Sequence, residues 1–238
     1  HFFFKRRYAW RDWGQPDFAG VEVWSYMHDW IESCSPWRLP AMCRDPDAYV
    51  HGPDARVVRA WDAVAEERHV AGIGGLDAHA AVLPLGLGYL LGWARHGILP
   101  YRQNFAAFAT YVLAPSPTGD VREDKRRVLA SLKNGHSWIC HDALHPGREV
   151  RYWARVVDRE IPVGTETVFA PGIELTALLP ASARIQLLCR GEVVHEVEDS
   201  CLVYHPERPG AYRVLAMLEG RTWLVTNHIY LRDDRTAP

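Results

Sequence analysis

The rhythm of apolar and polar positions changes near residue 145. Before it, segments of two kinds alternate. "DFAGVEVWS" (17–25) carries a short apolar run with β-branched residues, which predicts a buried strand. "PDARVVRAWDAVAEERH" (53–69) sets Val57, Val58, Trp61, Val64 and Ala65 on one face at helical spacing, with Pro53 or Asp54 as the start signal. "VAGIGG" (70–75) and "FAAFATYVLA" (105–114) read as further strands. "DVREDKRRVLASLKNG" (120–135) predicts a helix: Asp120 and Glu123 have capping-box spacing, Val128, Leu129 and Leu132 form the apolar face, and Gly135 stands at the stop. "SWICHD" (137–142) follows as a strand. Strand, helix and strand in succession predict parallel pairing through crossover helices.

Beyond about residue 148 the pattern is of strands alone. "VRYWARVV" (150–157) alternates, and "IELTALL" (173–179), "RIQLLCR" (184–190) and "EVVHEVE" (192–198) follow. "CLVYH", "AYRVLAML" and "TWLVTNHIYL" complete a series of short strands separated by turn residues, which predicts an antiparallel sandwich. The expected organisation is an α/β unit over 1–148 and an all-β, sandwich-like domain over 149–238.

Composition narrows the function classes. Of 238 residues, 48% are hydrophobic and 24% charged, an ordinary globular balance. A formal charge of −2 with both signs interspersed argues against a nucleic-acid or anionic-membrane partner. The apolar run "AAVLPLGLGYLLGWA" (80–94) is too short, and too broken by Pro84 and glycines, to span a bilayer. Five scattered cysteines with no C-x-x-C argue against a disulfide framework or a zinc knuckle and favour a reducing, cytoplasmic setting. The opening "HFFFKRRYAW" does not read as a signal peptide, and a first residue of His1 leads to the expectation that the chain begins part-way through a gene product. Twelve histidines bring a histidine-ligated metal into consideration.

The chemistry centres on "AGIGGLDAHA" (71–80). Asp77 and His79 are two apart after a predicted strand, so their side chains project to the same side and can converge on one cation. Carboxylate with imidazole suits zinc, manganese or iron, and the carboxyl end of a parallel strand is where α/β barrels keep their chemistry. The glycines do not form a nucleotide loop, because Leu76-Asp77 follows Gly75 where Lys-Ser/Thr is required, and no G-x-G-x-x-G is present. Glu22, with Trp24, is placed at a strand end, where it either faces substrate or pairs structurally. His28 and Asp29 read as solvated loop residues, and His136, His141, Asp142 and His145 as surface and turn residues without ligand spacing. His195, His205 and His228 read as packing or edge residues of the β tail, and Arg6 and Arg7 as a solvated basic turn.

Five segments in order, "HFF…YAWRDWG", "DFAGVEVWS", "GLDAHA", "NGHSWICHDAL" and "TNHIYLR", resemble the polymerase-and-histidinol-phosphatase (PHP) domain family. The likeness is to the carboxyl-terminal half of its metal-dependent phosphoesterase-like group. It spans nearly the whole chain and rests on order and spacing more than on any one motif. The resemblance implies a partial (β/α)7 PHP-type barrel with a polynuclear metal site, in which divalent ions bind phosphate oxygens and activate a water. On it, Asp77 and His79 match the final metal motif, and His1 matches the histidine of "AHP", with Phe2 in place of proline. The family's His-x-His, Thr-Asp-His and ligand glutamate have no counterpart; Leu76 and Ser25 stand where serine and asparagine are common.

The resulting expectation is a portion of a metal-dependent hydrolase that acts on a small-molecule phosphate ester, with Asp77, His79 and His1 as ligands to divalent zinc, manganese or iron. The rival expectation is a non-catalytic, degenerate scaffold whose β domain binds a carbohydrate or protein. An amidohydrolase-type enzyme that cleaves C–N bonds also fits the D-x-H pair. For a partial barrel, the side carrying "FFF" (2–4) and strand 17–25 would expose apolar surface where neighbouring strands are missing.

Overall fold

A computed structural model describes residues 15, 18–35, 37–79 and 100–233. His1, Arg6, Arg7, Trp10 and Trp13 lie outside the described residues, as do the runs 2–4 and 80–94. Five α-helices are described: α1 (Tyr26–Glu32), α2 (Leu39–Arg44), α3 (Ala55–Glu67), α4 (Tyr101–Ala107) and α5 (Val121–Lys133). The strands are β1 (Gly20–Ser25), β2 (Ala71–Gly75), β3 (Ala109–Val112), β4 (Ser137–Cys140), β5 (Arg151–Val156), β6 (Arg159–Pro162), β7 (Glu166–Val168), β8 (Glu174–Cys189), β9 (Glu192–Tyr204), β10 (Gly210–Leu218), β11 (Arg221–Thr226) and β12 (Ile229–Arg232).

The (β/α)7 barrel expected for 1–148 is not what forms. Ten strands make one curled sheet in the order β3-β4-β11-β10-β8-β5-β6, with β9 on β8 and β12 joining β10 to β7. Its pairings are antiparallel apart from β7 with β12. Only β1 and β2 form the parallel pair that the α/β pattern predicts, and they stand as a separate two-stranded sheet.

The overturned pairing turns on how the helix between the two strands is placed. Although α5 lies between β3 and β4, those strands run antiparallel, from Ala109 opposite Cys140 to Val112 opposite Ser137. A crossover helix must bury its apolar stripe against the sheet, but Val128 is 41% and Leu129 53% exposed, and Ser131 is the one buried residue of the helix. The helix is instead held by its own ends, where Asp120 accepts hydrogen bonds from the amides of Arg122 and Glu123. It leaves the sheet and returns, so β4 runs back beside β3.

The expected sandwich is also a single sheet, because predicted strand pairs fuse. Residues 173–179 and 184–190 become the continuous β8, and Pro180 is absorbed at a break in register between Leu178 and Ala183. Segment 105–114 divides instead, into the end of α4 and then β3.

Two apolar clusters fill the molecule. One is built from the large sheet and the segments joining its strands and includes Tyr152, Leu175, Leu187, Val214 and Trp223. The other joins the sheet to the parallel pair and its helices, with Trp24, Trp61, Phe108, Ile139, Val225 and Tyr230 in contact. Val21, Val23 and Trp24 of β1 are 1–2% exposed, so the apolar surface expected along this strand is covered.

β2 meets the large sheet through side chains in place of a backbone ladder. The amide of Asn227 brackets Gly72: Oδ1 accepts from Gly72 N at 2.6 Å, and Nδ2 donates to Gly72 O at 2.9 Å. Nδ2 also donates to Ser137 O at 3.0 Å and Oγ at 2.9 Å. Two residues on, Thr110 Oγ1 accepts from Gly74 N at 2.9 Å and donates to Gly74 O at 3.0 Å. Glycine is required for this approach, since a Cβ on Gly72 would lie 2.5 Å from the Trp61 ring and one on Gly74 2.5 Å from Ile139 Cγ2. Among the described residues, no helix is long and apolar enough to cross a membrane.

An unpaired buried backbone group costs roughly 1–3 kcal/mol. Asn227→Ala strips partners from both Gly72 groups, and the expected loss of unfolding free energy in urea is about 2–3 kcal/mol. Gly74→Ala forces Ile139 and Phe108 aside, with an expected cost of about 1–3 kcal/mol. Urea midpoints unchanged in both variants would contradict this packing.

Candidate functional site

β1 and β2 end side by side, with Ser25 opposite Gly75. β1 runs directly into α1, and the Leu76 carbonyl accepts from Met27 N at 3.3 Å, tying the turn after β2 to the start of that helix. Asp77 then takes a left-handed backbone conformation, φ 48°, which aspartate tolerates better than most residues. This brings the predicted pair together: His79 Nδ1 lies 2.5 Å from the Asp77 carbonyl oxygen and 3.6 Å from Asp77 Oδ1. With Nδ1 facing that carbonyl, Nε2 is the imidazole nitrogen free of this contact. Both side chains are accessible, 31% for Asp77 and 66% for His79.

Glu22 reaches the same strand end. Its carboxylate lies against Gly75, where any Cβ would collide with Oε1. The third glycine of the motif therefore admits Glu22, while the first two admit Trp61 and the Ile139–Phe108 contact. Glu22 also borders a cleft of about 30 Å³ shared with Ser25, His28, Asp29, Glu32 and Asp54, room for about two waters.

A self-contained metal centre is not found. Among the described residues, no three His, Cys, Asp or Glu side chains come together in a way that could hold a metal ion, which counts against the metal-binding expectation for the described part of the chain. The donors Asp77 and His79 fit a divalent cation in kind, though two donors alone do not form a closed site. His1 lies outside the described residues.

Other polar residues depart from their expected roles. Asp29 is buried within α1, not solvated in a loop. Its Oδ2 accepts from Trp24 Nε1 at 3.0 Å, His51 N at 3.0 Å and Gly52 N at 2.8 Å. Burial raises its carboxyl above the usual range despite these three donors. His28 pairs with Glu32 one turn on, at 3.4 Å.

His141 is fully buried, with Nε2 3.4 Å from Asp47 Oδ1, and the Tyr26 hydroxyl donates to that oxygen at 2.5 Å. Burial works to raise the Asp47 carboxyl, but the hydrogen bonds from His141 and Tyr26 outweigh it and hold the group below its ordinary value. Asp142 accepts from the Tyr111 hydroxyl at 2.7 Å, and His136 contacts Val163 O through Nδ1 at 2.7 Å. His136, His141 and Asp142, expected as surface and turn residues, thus make separate structural contacts, and His141 departs from that expectation by being buried.

Among the described residues, a fully buried ionic group forms that the sequence does not mark. Arg213, of β10, donates through Nε and a terminal nitrogen to Asp62 of α3 at 2.7 and 2.8 Å, and His228 Nε2 lies 2.9 Å from the same carboxylate. All three are buried. Burial opposes ionisation of Asp62, yet Arg213 and His228 prevail and hold it well below the usual carboxylate range. Burial also lowers the His228 imidazole below its ordinary value, with Asp62 offsetting only part of that.

Comparison with known proteins adds no family: no family model matches the chain, and no curated protein or solved structure is significantly similar to it.

The buried group makes stability pH-dependent in one direction. Asp62 is depressed in the fold, so its contribution is present above the unfolded value near ~3.9 and is lost as pH falls through the folded value. His228 is depressed too, so the unfolded chain takes the proton first, and stability is lost as pH falls below about 6.5. Between pH 7 and 5, unfolding free energy is expected to fall less steeply in His228→Gln than in the parent. The difference is at most about 1.4 kcal/mol per pH unit, one proton's worth. Identical slopes would exclude this role for His228.

Proposed function

We propose that this chain is a portion of a metal-dependent hydrolase that acts on a small-molecule phosphate ester. The observation that carries the reading is the Asp77–His79 pair, converging within 3.6 Å just past the carboxyl end of β2, beside a parallel partner strand whose Glu22 carboxylate lies against Gly75. The order of motifs in the chain supports it. The reading rests on this pair and does not require the closed barrel.

In this function, Asp77 supplies an anionic oxygen and His79 a neutral nitrogen through Nε2, its Nδ1 fixed by the Asp77 carbonyl. Further ligands come from outside the described residues. A divalent ion bound there supplies Lewis acidity toward a phosphate oxygen and lowers the pKa of a water. The accessible faces of Asp77 and His79 leave the turn open to a substrate.

Metal analysis tests this directly. The full chain, equilibrated with zinc or manganese and then dialysed, is expected to retain the ion and to hydrolyse p-nitrophenyl phosphate. Asp77→Ala/His79→Ala is expected to bind the ion more than about 100-fold more weakly, because it loses two direct donors. Equal metal content in the parent and the double variant would remove the assignment.

A further inference from the structure

Beside the candidate ligands lies a cleft that the hydrolase reading leaves unused. It opens where β1 passes into α1 and has a volume of about 30 Å³. Its walls carry four carboxylates, Glu22, Asp29, Glu32 and Asp54, and no lysine or arginine. Trp24 and Val57 supply an apolar side.

The two oxygens of Asp29 have unlike surroundings, although the residue is only 8% exposed. Oδ2 takes all three of its hydrogen bonds, from the Trp24 indole and the amides of His51 and Gly52. Oδ1 accepts from none of the described residues, nor is it one of their unpartnered polar atoms that are sealed from solvent. It is therefore the oxygen that faces the cleft. Two of the other carboxylates have positive partners. Arg56 holds Asp54 Oδ2 through Nη2 at 2.6 Å and Nε at 3.1 Å, and the His28 ring lies 3.4 Å from Glu32. Asp29 is served by amide and indole dipoles. Burial raises its carboxyl above the usual range; those dipoles oppose the rise, and the His51 ring adds least to their effect. The fold thus buries a carboxylate that is short of positive charge and leaves one of its oxygens at a small opening.

The dimensions select the kind of cation. The volume holds about two waters, room for an ammonium head and its first methylene and too little for the planar fork of a guanidinium. Among the described residues no three ligating side chains converge to hold a metal ion, whereas an ammonium group needs hydrogen-bond acceptors and no coordination shell. We propose that this cleft binds the primary ammonium group of an organic amine, with Asp29 Oδ1 as its acceptor and the alkyl chain against Val57 and Trp24. The site requires neither Asp77 nor His79 and stands whether or not the hydrolase reading holds.

Propylammonium is a suitable probe, with 1-propanol as its neutral counterpart of similar shape. The titration is followed by nitrogen-edited NMR in the Asp77→Ala/His79→Ala full chain, so that those side chains cannot account for binding. The Trp24 indole and the Gly52 amide, bonded to the same carboxylate, are the reporters. Expected are saturable millimolar shifts at both, with 1-propanol binding at least about tenfold more weakly. Asp29→Asn keeps the shape and removes the charge, and is expected to weaken propylammonium by about tenfold or more, with unshifted distal resonances verifying its fold. N-acetyl-lysinamide, titrated alongside, tells a free amine from the lysine side chain of a peptide; the site is supported by either, and comparable binding of the lysine derivative extends it to peptides. Absence of saturable shifts at the two reporters would overturn the proposal. So would equal binding of 1-propanol, the mark of an adventitious additive only, or undiminished binding by Asp29→Asn. The comparison with 1-propanol leaves Asp29 intact, so it decides the question even where Asp29→Asn does not fold.

Discussion

The arrangement of the molecule depends on one side-chain amide. Asn227 completes the hydrogen bonding of Gly72 on both its backbone groups and ties it to Ser137, in a buried setting where neither group could turn to water. A two-stranded parallel sheet has too little pairing to stand alone. By acting as a surrogate strand, Asn227 joins β1 and β2 to a sheet with which they share no backbone ladder. Thr110 repeats the device at Gly74. The glycines matter because only a backbone without Cβ atoms can come close enough for these bonds.

The residues after Asn227 extend the same attachment. His228 and Arg213 hold Asp62 in the middle of α3, and the Tyr230 hydroxyl donates to Val70 O at 2.9 Å and accepts from Val70 N at 3.2 Å. Arg232 donates to the carbonyls of Glu66 and Ala65 at 2.7 and 3.1 Å, where the end of α3 has acceptors left unpaired and its dipole favours a cation. Alternate residues of one short tail thus grip α3 and β2 at successive points. The buried Asp62 group adds little net stability over an apolar packing of equal volume, because desolvation offsets most of its attraction. Losing one partner, however, strands a charge, so the group fixes where α3 sits. The turn bearing Asp77 and His79 inherits its position from this chain of contacts.

Much of this was legible locally. The helix at 55–67 follows from its apolar spacing and Asp54, which accepts from Arg56 N at 2.8 Å. The position of Asp77 and His79 just past a strand is legible too, but their closeness comes from a left-handed turn at Asp77, not from the alternation of an extended strand. Pairing partners were not legible, because they depend on whether α5 covers the sheet, and the exposure of Val128 and Leu129 is a tertiary outcome that periodicity cannot foresee. Long strands broken by Pro180 look like separate strands for the same reason. The tail "TNHIYLR" was conspicuous, yet its roles were hidden. A buried Asn, His and Arg acquire meaning only from partners about 150 residues away in sequence, as the Asn227–Gly72 and His228–Asp62 contacts are.

Hydrogen exchange at the Gly72 amide probes the central claim most directly. If Asn227 binds β2 into the large sheet as a strand would, this amide exchanges only through global unfolding, at the rate of the Val214 amide in the centre of that sheet. Exchange of Gly72 by a faster local opening, with Val214 still protected, would show that β2 is merely laid against the sheet and would contradict the account.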